Sequence, residues 1–228
     1  MASLYEDLSS SKTLKDKVYL HIRQLIITGQ IPPGCRLPEE DLSHQMNISR
    51  APIREALNML ARDGFATIIP RHGAVVSELD AKVVQDIWEL RGILEPYTAR
   101  KSMSNMPSKE IDEVYALSLE VQANPTDFDL YMNCDMRLHN LLYQYEENTL
   151  LKDEVFNISE HSLRARYLAE RGEHYDTVSH GVCEEHVRIM KALKEQDADE
   201  VYAAVKHHVN ESLKRCVKMF EAHEHKKA

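Results

Sequence analysis

"ISRAPIREALNMLARDGF" runs from Ile48 to Phe65 and sets two arginines, Arg50 and Arg54, four residues apart in a chain of 228 residues with a net charge of −9. Ser49 is a candidate N-cap, because a serine hydroxyl can accept from the orphan amides of a first helical turn. Pro52 falls inside that turn, where its missing N–H removes no hydrogen bond. Ala56, Leu57 and Leu60 recur at helical spacing and are predicted to face inward, and Gly64 ends a helix running from about Arg50 to Asp63. Arg50 and Arg54, at i and i+4, therefore share one face at the helix entrance.

Working outward, "LKDKVYLHIRQLIIT" (14–28) places Val18, Ile22, Leu25 and Ile26 on one helical stripe that Gly29 ends. "IPPGCRLP" reads as a turn, and "EEDLSHQM" (39–46) as a short helix with acids in its first turn, where the helix dipole favours them. Asn47 and Ile48 make a tight turn into the opening stretch. On the other side, "FATIIP" and "AVVSEL" are β-branched runs joined by a tip of Arg71, His72 and Gly73, a hairpin signal. The order of helix, helix–turn–helix and hairpin predicts a winged helix-turn-helix over about Leu14–Leu79. Beyond Asp80 the β signals vanish, and six or so amphipathic helices follow, broken near "NMPSKE", "NPTD", "RGEHYDT" and "EQDAD". The predicted fold is mainly α, with a winged helix-turn-helix domain over residues 1–78 and an all-helical bundle over residues 79–228.

Charge is divided unevenly between these halves. Residues 1–78 hold nine basic and nine acidic side chains, whereas the remaining 150 hold 19 basic and 28 acidic and so carry the whole −9. Four arginines between Arg50 and His72 oppose only Glu55 and Asp63, a locally basic face that points to a polyanion met at one end of the chain. No run approaches eighteen apolar residues, and "MASLYEDLSSSKTLKDK" lacks the apolar core of a secretory signal, so a cytoplasmic protein without a membrane span is expected. Cys35, Cys134, Cys183 and Cys216 are widely spread and read as free thiols.

In a helix-turn-helix the second helix enters the major groove and its first residues reach base edges, where arginine donates two hydrogen bonds to guanine. The competing reading is a solvated face with Arg50 or Arg54 paired to Glu55 or Asp63. The donors of Arg71 and His72 on the hairpin tip favour the nucleic-acid reading. A second constellation lies downstream. Asp135 and His139 in "CDMRLHNLL" are i and i+4 on a stripe with Met132 and Leu142, His186 lines up with Val182, Ile189 and Leu193, and His208 lines up with Val201, Ala204 and Val205, while His207 falls on the side of Glu211 and Lys214. Three helices thus aim polar groups at one interior. Such groups are costly without partners, and a shared divalent ion would satisfy all four.

"ISRAPIREALNMLARDGFATIIPRHGAVV" resembles the winged helix of GntR-superfamily regulators, which carry S-R-x-P-[VI]-R-E-A-L-x-x-L…G and a P-x-[RH]-G wing. That resemblance implies that Arg50 and Arg54 contact a GT/AC palindrome and that His72-Gly73 enters the minor groove, beside Ser49, small enough to let the backbone approach, and Arg71, a donor on the tip by its own position. One departure is "LPEEDL", where some members have an arginine in a P-x-E-R-E-L pattern, so that contact is missing. "WELRGILEPYTAR", "DMRLHNLL", "EEHVRIMKAL" and "HV" resemble the FCD effector domain of the fatty-acid-regulator-like branch. This implies Asp135, His139, His186 and His208 as ligands of a divalent metal, zinc first, with nickel, manganese or iron as other occupants. It also implies that Arg91 pairs with the carboxylate of a small effector. A surface ion pair with Glu95 is its competing role, and Arg164 and Arg166 remain open as further cavity residues.

The reading that follows is a homodimeric, effector-responsive transcription regulator on pseudo-palindromic double-stranded DNA, a repressor of sugar-acid or organic-acid metabolism and not an enzyme. Two rivals stand beside it: a metal-dependent hydrolase using the three histidines and the aspartate, and a regulator with a metal-free acyl-ligand pocket.

Overall fold

Apolar spacing in the first eighty residues builds three helices that close over a small sheet. The structure, a computed structural model, describes residues 13–170 and 175–227. The chain divides into two compact units between Leu79 and Asp80. The amino-terminal unit contains α1 (Leu14–Ile27), β1 (Arg36–Leu37), α2 (Glu39–Met46), α3 (Arg50–Arg62), β2 (Ala66–Ile69) and β3 (Gly73–Val76). Its core is Val18, Ile22, Ile26, Ile53, Leu57, Leu60 and Phe65, all essentially removed from solvent. Leu25 is only half-buried, and Tyr19 and Ile27 take the inward positions instead. The α2–α3 turn is held by Asn47 in the left-handed region (φ 53°) and by the Ser43 hydroxyl, which donates to the Ile48 carbonyl at 2.6 Å.

One local expectation holds in position and a second is corrected. Ser49 occupies the N-cap of α3, but its side chain makes no capping hydrogen bond. The stretch expected to be only a turn contains β1, which joins the hairpin in an antiparallel sheet of order β1-β3-β2. A two-residue strand has no periodicity to detect, and its partner, Val75 opposite Arg36, lies far along the chain.

The carboxy-terminal unit is all-helical: α4 (Ala81–Ser102), a single 3-10 turn (Met103–Asn105), α5 (Ser108–Ala123), α6 (Phe128–Gln144), α7 (Thr149–Glu170), α8 (Tyr175–Glu195) and α9 (Ala198–Lys227). The "NPTD" break ends in a side-chain cap, Asp127 accepting from the Leu130 amide at 2.9 Å. The α6–α7 break at residues 145–148 was not anticipated. Glu146 holds it by accepting from Lys101 and from the Asn148 amide. The expected "RGEHYDT" break falls largely on 171–174, outside the described residues. Pro96 lies inside α4 and has no N–H to give the Gly92 carbonyl. Lys206 of α9 supplies that donor, its Nζ reaching Gly92 O at 2.6 Å and tying the two helices together.

Candidate functional site

The amino-terminal unit carries its basic groups on one helix entrance and one hairpin tip. Ser49, Arg50 and Arg54 are exposed at the start of α3, and Arg71, His72 and Gly73 are exposed at the β2–β3 tip. Gly73 has φ 83° and Arg71 φ 66°, so the tip uses two consecutive-turn conformations that favour glycine, one of them occupied by an arginine. Arg36 of β1 donates to the His72 carbonyl at 2.9 Å and fixes the tip from the added strand. The helix arginines do not pair with Glu55 or Asp63. Arg54 meets Glu39 and Arg50 meets Glu40, both acids on the first turn of α2. Glu55 instead lies 3.4 Å from Lys15, and Asp63 accepts from the Tyr19 hydroxyl at 2.6 Å.

In the carboxy-terminal unit α6, α8 and α9 bring His139, His186 and His208 together. One nitrogen from each lies within 4.8 Å of the other two, and all three side chains are buried. His208 is 1% exposed while His207 is exposed, so the register of α9 selects the inner histidine. Asp135, one turn before His139, is fully buried. Its Oδ1 lies 3.6 Å from His139 Nε2 and 3.6 Å from His186 Nε2. The compact trio consists of histidines alone, and Arg166 of α7 also claims Asp135 Oδ1. That contact puts Arg166 at the site.

Arg91 is not on the surface. It is 0% exposed and grips the buried Glu95 through Nε at 2.6 Å and Nη2 at 3.2 Å. The inward position is the expected one, and the Glu95 partner is that of the competing surface reading, brought inside because neither charge would be buried without the other. Arg91 Nη2 also lies 3.5 Å from His139 Nε2, and its guanidinium stacks 5.0 Å over the Trp88 ring.

The electrostatics keep the acids charged and His186 and His208 neutral. Burial pushes the Asp135 carboxyl up, but the Arg166 guanidinium overrides it and holds the group down at about 2. Burial opposes ionisation of Glu95 as well, and Arg91 again overrides it. Glu185 is held at about 2 despite burial by hydrogen bonds from His208 and Arg215. Burial pushes His208 down to about 4 and His186 well below its ordinary value, so both are neutral at physiological pH.

These groups fit a divalent cation. His208 gives its Nδ1 proton to Glu185, 2.8 Å away, which leaves its Nε2 bare. His139 turns Nδ1 toward Glu95 Oε2 at 3.3 Å without hydrogen-bonding it, and its Nε2 faces the trio. The two Nε2 atoms are 3.3 Å apart, a separation that suits two ligands of one cation. Two nitrogens held by one zinc at tetrahedral angles sit about 3.3 Å apart. His186 Nε2 and Asp135 Oδ2 are buried with no hydrogen-bond partner among the described residues, so both are available to the same ion.

Glu185 and Arg215 escape sequence reading as parts of this site, whereas Arg166 stands open there beside Arg164. Arg215 lies two turns from His208 on α9 and grips Glu185 with two bonds of 2.7 Å, a relation that no spacing on α8 foretells. Only Glu95, at i+4 from Arg91, carried a visible signal.

The family model described as "Bacterial regulatory proteins, gntR family" matches residues 14–76, and that of the FCD domain matches residues 86–211. The chain is 26% identical over 208 residues to the HTH-type transcriptional repressor RspR of Escherichia coli K12, covering 90% of this chain and 89% of that protein. Its fold resembles that of E. coli McbR/YncC, with a TM-score of 0.75 at 18% identity over 92% of this chain and 100% of that one. It also resembles the metal-free FCD domain of TM0439, with a TM-score of 0.55 at 19% identity over 64% of this chain and 99% of that one. A winged helix with its arginines at the helix entrance, followed by an FCD bundle that gathers three histidines, places the chain in the GntR family of bacterial transcriptional regulators, a family of DNA-binding proteins and not of enzymes.

Proposed function

We propose that the chain is a cytoplasmic, homodimeric repressor whose hold on a pseudo-palindromic operator is loosened by a small carboxylate bound at a divalent metal in the helical unit. The observation that carries this reading is the convergence of three buried imidazoles, one nitrogen of each within 4.8 Å of the other two. His139, His186, His208 and Asp135 would hold the ion, zinc before nickel, manganese or iron. A divalent ion there supplies open coordination positions for an acid group. Arg91 and Trp88 would orient that acid. Arg91 Nη1 and the Trp88 indole N–H are buried donors without a hydrogen-bond partner among the described residues, and a carboxylate accepts from both.

At the other end Arg50 and Arg54 would read guanines in the major groove, with Ser49 close to the backbone and Arg71, His72 and Gly73 in the minor groove. Dimerisation is supported by an exposed apolar stripe on α4, where Val83, Leu90, Ile93 and Tyr97 recur at three-, four- and seven-residue spacing. A repressor role is supported by the relative whose name carries that word. The effector acts only through a difference in affinity for the DNA-competent and DNA-incompetent dimers.

Elemental analysis of the purified protein, with mass spectrometry of co-purified acids, tests the first half: about one divalent ion per chain is expected. An operator titration with and without the identified acid tests the second. Wild-type protein should release the DNA, and Arg91→Lys, which keeps the charge but loses the two-pronged geometry, should release it less. Metal-free protein as purified, with no restoration by added zinc, would sink the proposal.

A further inference from the structure

We propose that Glu39 is a specificity-determining residue that holds Arg54 by one edge of its guanidinium and so presents the opposite fork to a guanine. The inference rests on the reading of α3 as the base-reading helix. Arg54 Nε donates to the two Glu39 oxygens at 2.9 and 3.1 Å, and Nη2 donates to Oε2 at 2.8 Å. A guanidinium has five N–H groups in a rigid plane. Glu39 engages the Nε–H and one hydrogen of Nη2. Both hydrogens of Nη1 and the outer one of Nη2 remain, and they form the end-on fork that matches guanine O6 and N7. No other hydrogen bond to Arg54 exists among the described residues. The contact holds the Glu39 carboxyl below its ordinary range, so it remains an ionised anchor.

Arg50 is held differently. Glu40 meets its Nη2 alone, at 2.5 Å, a single contact that fixes neither edge of the guanidinium. One arginine is thus aimed in advance, and its neighbour is tethered at one nitrogen without being aimed. Aiming a long side chain removes part of the ordering cost of binding, and only for a partner that fits the remaining fork. Both carboxylates also lie beside the face that would approach phosphates, so they disfavour DNA that offers no guanine in return.

The experiment compares Glu39→Ala with Glu40→Ala, two neighbouring changes that remove the same charge from the same exposed helical turn. Binding is measured by fluorescence anisotropy on the duplex that wild-type protein selects from a randomised pool, and on that duplex with its half-site guanines replaced by adenine. Arg54→Ala serves as reference, and thermal melting confirms that each variant is folded. Glu39→Ala should lose about fivefold of the preference for the guanine duplex, the ordering of one long side chain. Glu40→Ala should keep the preference and bind both duplexes more tightly. Full preference in Glu39→Ala, with preference lost in Arg54→Ala, overturns the role of Glu39 and leaves the base-reading helix standing. Equal loss in Glu39→Ala and Glu40→Ala reduces the effect to charge and overturns it too. Full preference in Arg54→Ala removes the base-reading assignment and this inference with it.

Discussion

His207 and His208 are adjacent on α9, yet one is exposed and the other is 1% exposed beside His139 and His186. A helix turns about 100° per residue, so neighbouring side chains cannot share an interior. His139→Ala and His186→Ala should each abolish stoichiometric metal and lower the melting temperature, because an ion bound only by the folded state stabilises it. His207→Ala should do neither, as read by elemental analysis and differential scanning calorimetry. Glu185→Gln is a softer change: it leaves every ligand in place but loosens the partner that fixes the His208 tautomer. About a tenfold loss of metal affinity in a chelator competition is expected, and unchanged affinity would show that Glu185 merely pairs with Arg215.

At the scale of elements, α4 does two things that its sequence alone does not advertise. Inside, it accepts a proline without losing a carbonyl's partner, because Lys206 of α9 takes over from the missing amide. Lys206→Met keeps the aliphatic stem and removes the donor, leaving Gly92 O unsatisfied. Denaturant unfolding should show a loss of about 1–3 kcal/mol. Outside, α4 exposes Ile93 at 57% and Tyr97 at 53%, large apolar groups that a second copy would cover. Ile93→Glu should convert the dimer to monomer in analytical ultracentrifugation and weaken operator binding with it, since each half-site would be met singly. A monodisperse Ile93→Glu dimer would move the interface elsewhere.

For the molecule as a whole, burial of neutral histidines makes stability depend on pH with a definite sign. His186 and His208 have folded-state pKa values below 6.5, with His208 at about 4. Between those limits the unfolded chain binds protons that the folded chain refuses, so acidification favours unfolding. Metal-free protein should hold its stability above pH 6.5 and lose up to about 1.4 kcal/mol per pH unit for each such histidine as the pH falls toward 4. Below that range, protonation of Asp135 and Glu185, both held at about 2, adds to the loss. Bound metal should be released over the upper part of the same window, because its ligands must be deprotonated. A melting temperature that stays flat from pH 7 to 5 in metal-free protein would contradict neutral, buried imidazoles.

Much of this protein was written in local periodicity. The helices α1, α2 and α3, the hairpin with its tip of Arg71, His72 and Gly73, and the inward side of His139, His186 and His208 all follow from spacings of two to seven residues. Such spacings are set by the backbone's own repeat, so any reader of the sequence can apply them. What only the tertiary structure decided are relations between residues far apart in the chain. The strand β1 exists because Val75 lies opposite Arg36. Arg54 is aimed by Glu39 on another helix, and Asp135 Oδ1 is claimed by Arg166 of α7. Arg91 became a buried group because the surrounding helices close over it together with Glu95. Partner choice among charged side chains depends on which surfaces pack together, and packing is a property of the whole fold that no local pattern records.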